Sequence, residues 1–274
     1  MSSIIAIIAG AGRFPFHVAQ EAKRQGLRVV TLGLRGWADP ALATQGDVYE
    51  ELAVGQLSRL IERLKSHRVH QAIMAGKVTK AALFEGRSLF DAETLKILGH
   101  VKEFSVGLLL GAVAKRLAEE GITLLDSSTF LKSHLCPPGV LTAREPTPAE
   151  ANDMHIGQQA ARTLASLDIG QTVVVKERVV VAVEALEGTD ATIRRAHALV
   201  GDGLVVVKMA AANQDRRFDL PIVGSDTIGI LKDSGVSCLA LEAEATLLLE
   251  HDALINNANE ANICIVGLQS PHSP

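Results

Sequence analysis

Four stretches of this sequence gather residues able to do chemistry. The first is Ile8-Ala9-Gly10-Ala11-Gly12-Arg13-Phe14-Pro15. It follows a β-branched run and opens a helical one, the context in which backbone N–H groups and the helix dipole favour an anion. Gly10, Ala11 and Gly12 are the candidate phosphate contacts; the alternative is a tight turn that needs glycine for backbone shape alone. The second stretch is Ala75-Gly76-Lys77-Val78-Thr79-Lys80, at the end of a further expected strand. Ligands of doubly wound sheets sit outside such strand ends, which makes Gly76 and Lys77 candidate contacts. The third is Val183-Glu184-Ala185-Leu186-Glu187-Gly188-Thr189-Asp190. Here Asp190 either caps the helix that follows or joins Glu184 and Glu187, three carboxylates within seven residues, in holding a hard cation, while the Gly188-Thr189 turn presents N–H donors to phosphate. The fourth runs from Asn213 to Pro221 and sets Asp219 between Phe218 and Leu220. An acid flanked by apolar residues is costly unless it is paired, hydrogen-bonded or on a metal. Asp219 is therefore the candidate catalytic residue. Lys208, at the end of the preceding strand, is its candidate cationic neighbour and a candidate substrate contact.

These residues need a scaffold, and the pattern of the chain supplies one. Ile4–Ala9, Arg28–Leu34, Gln71–Ala75 and Ile122–Leu125 read as strands. Between them, Phe14–Gln25, Gln56–Lys65 and Gly107–Glu120 read as helices. Strand, helix, strand in this rhythm means parallel pairing with crossovers. Cys136-Pro137-Pro138-Gly139 and Pro146-Thr147-Pro148 then interrupt the rhythm, because neither a helix nor a central strand tolerates them. After Pro148 come a helix to Ser166, the strands Thr172–Val175 and Val179–Val183 joined through Glu177-Arg178, and further alternating elements. The expected fold class is α/β, with an N-terminal doubly wound, Rossmann-like domain over residues 1–136, a linker at 137–148 and a C-terminal mixed α/β catalytic domain over 149–274.

Bulk properties narrow the function. The 274 residues carry a net charge of −4 with no basic run, and aromatics make up only 3 %, so no nucleic acid is expected as a partner. Mean hydropathy is +0.22, yet the apolar run Val106–Ala114 falls far short of the roughly 20 residues of a spanning helix. The N-terminal residues lack the cationic segment of a signal peptide, and Cys136, Cys238 and Cys264 form no CxxC pair. Both features fit a reducing cytoplasm. The histidines include no HxH or HExxH spacing, so zinc has no sequence support. The second strand ends at Gly33-Leu34-Arg35 without a carboxylate for a ribose diol, and Pro15 stands where a dinucleotide fingerprint has its third glycine. NAD is disfavoured on both counts.

Taken together, these stretches resemble a known family, the UDP-2,3-diacylglucosamine pyrophosphatases of the LpxI type. Ile8-Ala9-Gly10-Ala11-Gly12 with Pro15, Ala75-Gly76-Lys77-Val78, Asp168-Ile169-Gly170-Gln171, the block from Val181 to Arg195, and Asp219-Leu220-Pro221 with Gly224 carry the resemblance, in that order. It implies magnesium-dependent hydrolysis of UDP-2,3-diacylglucosamine to 2,3-diacylglucosamine 1-phosphate and UMP, an early cytoplasmic step of lipid A synthesis. It also implies two domains with the lipid product held between them, and an essential aspartate matching Asp219. In this reading Mg2+ is the cofactor, with Asp219, Asp190 and Glu187 as candidate ligands. The candidate partners are the lipid nucleotide, the inner face of the cytoplasmic membrane through peripheral contact, and a second copy of the chain. Two other functions fit part of the pattern: an NADP-linked oxidoreductase with Arg35 on a 2′-phosphate, and a nucleotide-sugar sensor that binds without turnover.

Overall fold

The computed structural model describes residues 3–78, 90–100, 106–210, 215–218 and 220–269. The chain forms two compact units. The first takes in the described residues of Met1–Lys132 and Asp215–Asp219, the second those of Ser133–Gln214 and Leu220–Pro274.

The first unit is built on five strands, β1 (Ile4–Ala9), β2 (Arg28–Leu34), β3 (Val48–Leu52), β4 (Gln71–Ala75) and β5 (Thr123–Leu124), in the order β3-β2-β1-β4-β5. All the pairings are parallel. Ile5 to Ala9 of β1 are all buried, as a central strand covered on both faces requires. One face carries Ala6, Ile8, Val30 and Leu32 against Leu57, Ile61 and Leu64 of helix α2 (Leu57–Ser66). Ala114 and Leu117 of a later helix (Val106–Glu119) join the same cluster. Alternation sends Ile5 and Ile7 to the other face. Helix α1 (Phe14–Arg24), whose buried side chains include Phe16, Val18 and Ala22, packs against β1 and β2. The strand order reverses between β1 and β4, so the crevice where such sheets bind ligands lies beyond Ala9 and Ala75.

In the chain order of helices, α3 is Ala92–His100 and α4 is Val106–Glu119. The second unit adds α5 (Pro148–Ser166), α6 (Thr189–Val200), α7 (Ser225–Asp233) and α8 (His251–Glu260). Its six-stranded sheet has the order β6-β13-β11-β9-β7-β8, where β6 is Gly139–Val140, β7 Thr172–Lys176, β8 Val179–Val183, β9 Leu204–Lys208, β11 Val236–Glu242 and β13 Cys264–Leu268. The strands β9, β11 and β13 run parallel, whereas β7, β8 and β6 pair antiparallel to their neighbours, which makes the sheet mixed. A separate parallel pair joins β10 (Ile222–Val223) to β12 (Leu247–Leu248).

Period-two alternation along β9 divides the core. Leu204 and Val206 join Ile193, Ile228 and Leu254 from α6, α7 and α8, while Val205 and Val207 join Met154 and Ala161 of α5. Helix α5 lies so close to the sheet that a methyl group on Gly157 would stand 2.5 Å from Val207 Cγ2. The three cysteines are free and buried.

Residues 137–148, expected as a linker, lie inside the second unit. Gly139–Val140 pairs with β13 at a sheet edge, the one strand position that tolerates flanking prolines. The structure also adds β3, which the sequence pattern does not announce.

Candidate functional site

At the reversal point of the first sheet, the two glycine stretches meet through their backbones. The Gly10 N–H donates to Ala75 O (2.8 Å), the Ala11 N–H to Lys77 O (2.9 Å) and the Lys77 N–H to Ala11 O (2.9 Å). A Cβ on Gly10 would lie 2.7 Å from Lys77 O, and one on Gly76 would lie 2.7 Å from Ala11 O. Close approach of two loops therefore explains both glycines. Gly12 differs, since a Cβ there meets nothing within 4 Å but the backbone has φ +94°. The N–H groups of Gly10 and Ala11 are thus occupied, while Gly12 and Arg13 are exposed just before α1, whose first residues Phe14, Pro15 and Phe16 are buried. Lys77 is exposed beside them. Arg13 stacks over the Phe16 ring at 4.8 Å. Arg35 lies 3.7 Å from Glu51, a pairing with its own strand neighbourhood.

A polar group closes one end of the second sheet. The antiparallel register sets Thr172 opposite Lys208, and Val183 opposite Val173, so Glu184 emerges beside them. The turn at Gly188 then brings in Thr189 as the first residue of α6. Lys208 Nζ donates to Thr189 Oγ1 (3.2 Å), and the Thr189 hydroxyl donates to Glu184 Oε1 (2.9 Å). Glu184 Oε2 accepts the Gln171 N–H at 3.3 Å. The buried Thr172 places its hydroxyl 3.3 Å from that of Thr189. On the next strand end, Glu242 Oε2 accepts the Ala210 N–H (2.8 Å) and lies in reach of Arg162 (3.5 Å). The sequence-derived candidates Thr189 and Lys208 are thus brought together. Glu184, one of the three carboxylates the sequence offers to a hard cation, joins them through Thr189, as does Thr172, which has no sequence signal beyond its place at a strand end.

The candidate metal ligands are placed as follows. Glu187 accepts from Arg195 Nη2 (2.9 Å), from the Thr192 hydroxyl (3.3 Å) and from the Ala185 N–H (3.1 Å). Its own backbone N–H and the Arg195 guanidinium hold its carboxyl below the usual range. Asp190 is exposed in the first turn of α6, one residue inside the helix start, because Gly188 rather than Asp190 takes the N-cap position. Among the described residues, no three His, Cys, Asp or Glu side chains gather into a metal site. Asp219 lies outside the described residues.

The residues just before Asp219 are held by the first unit. The Ser127 N–H donates to Arg216 O (2.9 Å), and Ser127 Oγ stands 2.8 Å from both Met74 O and Arg217 O. Arg216 pairs with Asp126 (3.1 Å), and Arg217 Nε donates to Asp215 Oδ1 at 2.8 Å. Phe218 packs on the cluster that contains Ile8 and Leu117. The polar run Asn213–Arg217 gives no hint of these partners.

Residues 4–134 match the family model described as the LpxI N-terminal domain, and residues 137–266 match the LpxI C-terminal domain. The chain is 28 % identical, over 283 residues, to a protein of Caulobacter vibrioides named UDP-2,3-diacylglucosamine pyrophosphatase LpxI. That alignment covers 98 % of this chain and 99 % of the relative. Among solved structures, CobK precorrin-6A reductase has a TM-score of 0.35 at 12 % identity, covering 99 % of this chain and 90 % of its own. A UDP-glucose-4-epimerase from Stenotrophomonas maltophila, with bound NAD and formylated UDP-arabinopyranose, reaches 0.28 at 16 % identity. The match covers 44 % of this chain and spans only 35 % of the epimerase.

Proposed function

The chain belongs to the LpxI family, and from that premise we propose that it hydrolyses the pyrophosphate bond of UDP-2,3-diacylglucosamine in lipid A biosynthesis, releasing UMP and 2,3-diacylglucosamine 1-phosphate. The observation that carries this reading is the match of both halves, in order, to the two LpxI domains.

Site chemistry supports the reading in specific ways. A pyrophosphate diester carries two negative charges that must be neutralised before water can attack. Lys208, which donates to the Thr189 hydroxyl, offers an ammonium at one sheet end for that purpose. Asp219 orients the attacking water or holds magnesium, the role expected of an acid set between Phe218 and Leu220. Magnesium, when bound, would supply charge neutralisation on the phosphate oxygens, and one carboxylate plus those oxygens is a common way of holding it. Two acyl chains bring such a substrate to the inner face of the cytoplasmic membrane, which the protein would meet peripherally. No helix among the described residues is long and apolar enough to cross a membrane.

The test is to incubate the purified chain with UDP-2,3-diacylglucosamine in detergent micelles with magnesium, then to repeat the assay after exhaustive chelation. UMP formation with the metal and its loss on chelation are expected. Intact substrate in both arms would remove the hydrolase reading, and full activity after chelation would remove the metal dependence.

A further inference from the structure

We infer that Glu184 is a positioning residue for substrate phosphate: it orients the Thr189 hydroxyl and, through it, the Lys208 ammonium. The inference rests on the pyrophosphate reading above, because it assigns that anion to this end of the sheet.

The direction of the hydrogen bonds carries the argument. A hydroxyl has one proton and two lone pairs. Thr189 gives its proton to Glu184 Oε1 at 2.9 Å, a charge-assisted contact and the shortest it makes among those described. Its lone pairs are thereby turned toward Lys208 Nζ at 3.2 Å, a second charge-assisted contact since the donor is an ammonium, and toward the Thr172 hydroxyl at 3.3 Å. The lysine ammonium rotates freely on a flexible stem unless something fixes one of its N–H bonds. Thr189 does so, and Glu184 determines which way Thr189 faces.

Glu184 is itself held on several sides. Its second oxygen accepts the Gln171 N–H (3.3 Å), and its own N–H donates to Thr172 O (2.9 Å). Gly170 lies so close that a Cβ there would stand 2.1 Å from Glu184 O, so the loop before β7 is moulded around this residue. A carboxylate in a site meant for phosphate works against anion binding by repulsion. Its presence is explained if it is paired through Thr189 to the lysine that meets the anion.

The experiment uses the full chain and inorganic pyrophosphate as probe, with affinity measured by titration calorimetry for wild type, Glu184→Ala, Lys208→Ala and the double variant. Turnover of UDP-2,3-diacylglucosamine is followed in parallel. We expect Glu184→Ala to weaken pyrophosphate binding by about 10-fold, the scale of losing one oriented charge-assisted contact. The double variant should bind no more weakly than Lys208→Ala alone, because Glu184 acts through the lysine. Additive losses, unchanged affinity in Glu184→Ala, or no binding by wild type would each overturn the inference. If Glu184→Ala does not fold, Thr189→Ser and Thr189→Val take its place. Serine should keep the affinity and valine lose it, and equal affinities would overturn the inference. A wild-type chain that shows this binding pattern without hydrolysing the lipid nucleotide would sink the proposed function and leave the positioning role standing.

Discussion

Burial alone would push the Glu150 carboxyl up, but the Arg144 guanidinium, the Thr147 N–H and Ser237 outweigh it and hold the pKa at about 2. Arg144 donates to both carboxylate oxygens at 2.9 Å, and Thr147 and Glu150 close a capping box at the start of α5. A carboxyl whose folded pKa lies below its unfolded value near 4.5 contributes stability above pH 4.5, and that contribution is lost as pH falls toward 2. Glu150→Gln should therefore lower the melting temperature at neutral pH and flatten its decline between these limits. Thermal melts across that range check this, and an acid profile parallel to wild type would contradict it. Glu50, held at about 2 by Arg63 and His67 against its own desolvation, should keep part of the acid sensitivity in place.

The glycines at the reversal point allow a second comparison at the residue scale. Gly10→Ala drives a methyl group into Lys77 O and should cost about 1–3 kcal/mol, as overpacking does. Gly12→Ala meets open space and should cost only the backbone strain of its positive φ, about 1–2 kcal/mol. Denaturant titration of both variants measures the two costs. A Gly10→Ala chain as stable as wild type would show that the two loops do not lock each other. Glycine was legible in the sequence at these sites, but its reason was not, because the partner loops are distant in the chain.

Among the elements, the hairpin of β7 and β8 shows how tertiary contacts override turn chemistry. Glu177 and Arg178 both adopt positive φ, 50° and 65°, where Asn-Gly would be usual. Asp153, buried in α5, accepts their N–H groups at 2.9 and 2.6 Å. Asp153→Ala should destabilise the chain by about 1–3 kcal/mol, since two hairpin N–H donors lose their carboxylate acceptor. A fall in melting temperature with far-UV circular dichroism preserved is the expected outcome, and an unchanged melt would contradict it. The long apolar runs of β1, β2, β7 and β9 could be read from sequence because burial on both faces leaves no other use for them. By contrast, β3 was hidden: Glu50 and Glu51 break its pattern, and Glu50 is accommodated because Arg63 of α2 and His67 at its end reach it.

Across the whole molecule, each unit is an α/β layer with polar groups collected at the carboxyl ends of its parallel strands, the position such folds give to ligands. The glycine turns, Thr189 and Lys208 could be picked from the sequence by their places after expected strands. Glu184 could be picked as one of three neighbouring carboxylates, though not its hold on Thr189; Ser127 and Asp153 could not, because each acts on backbone groups that only the folded chain brings near. The proposed hydrolysis of the lipid nucleotide sets Asp219 at the reacting centre. Its most direct test is UMP release from UDP-2,3-diacylglucosamine by wild type and Asp219→Ala at equal folded concentration, with melting temperatures measured alongside. The account expects UMP and 2,3-diacylglucosamine 1-phosphate in equal amounts from wild type, and a loss of roughly 10²–10³-fold or more in kcat with an unshifted melt for Asp219→Ala. No UMP from well-folded wild type, or near-normal turnover by the variant, would contradict it.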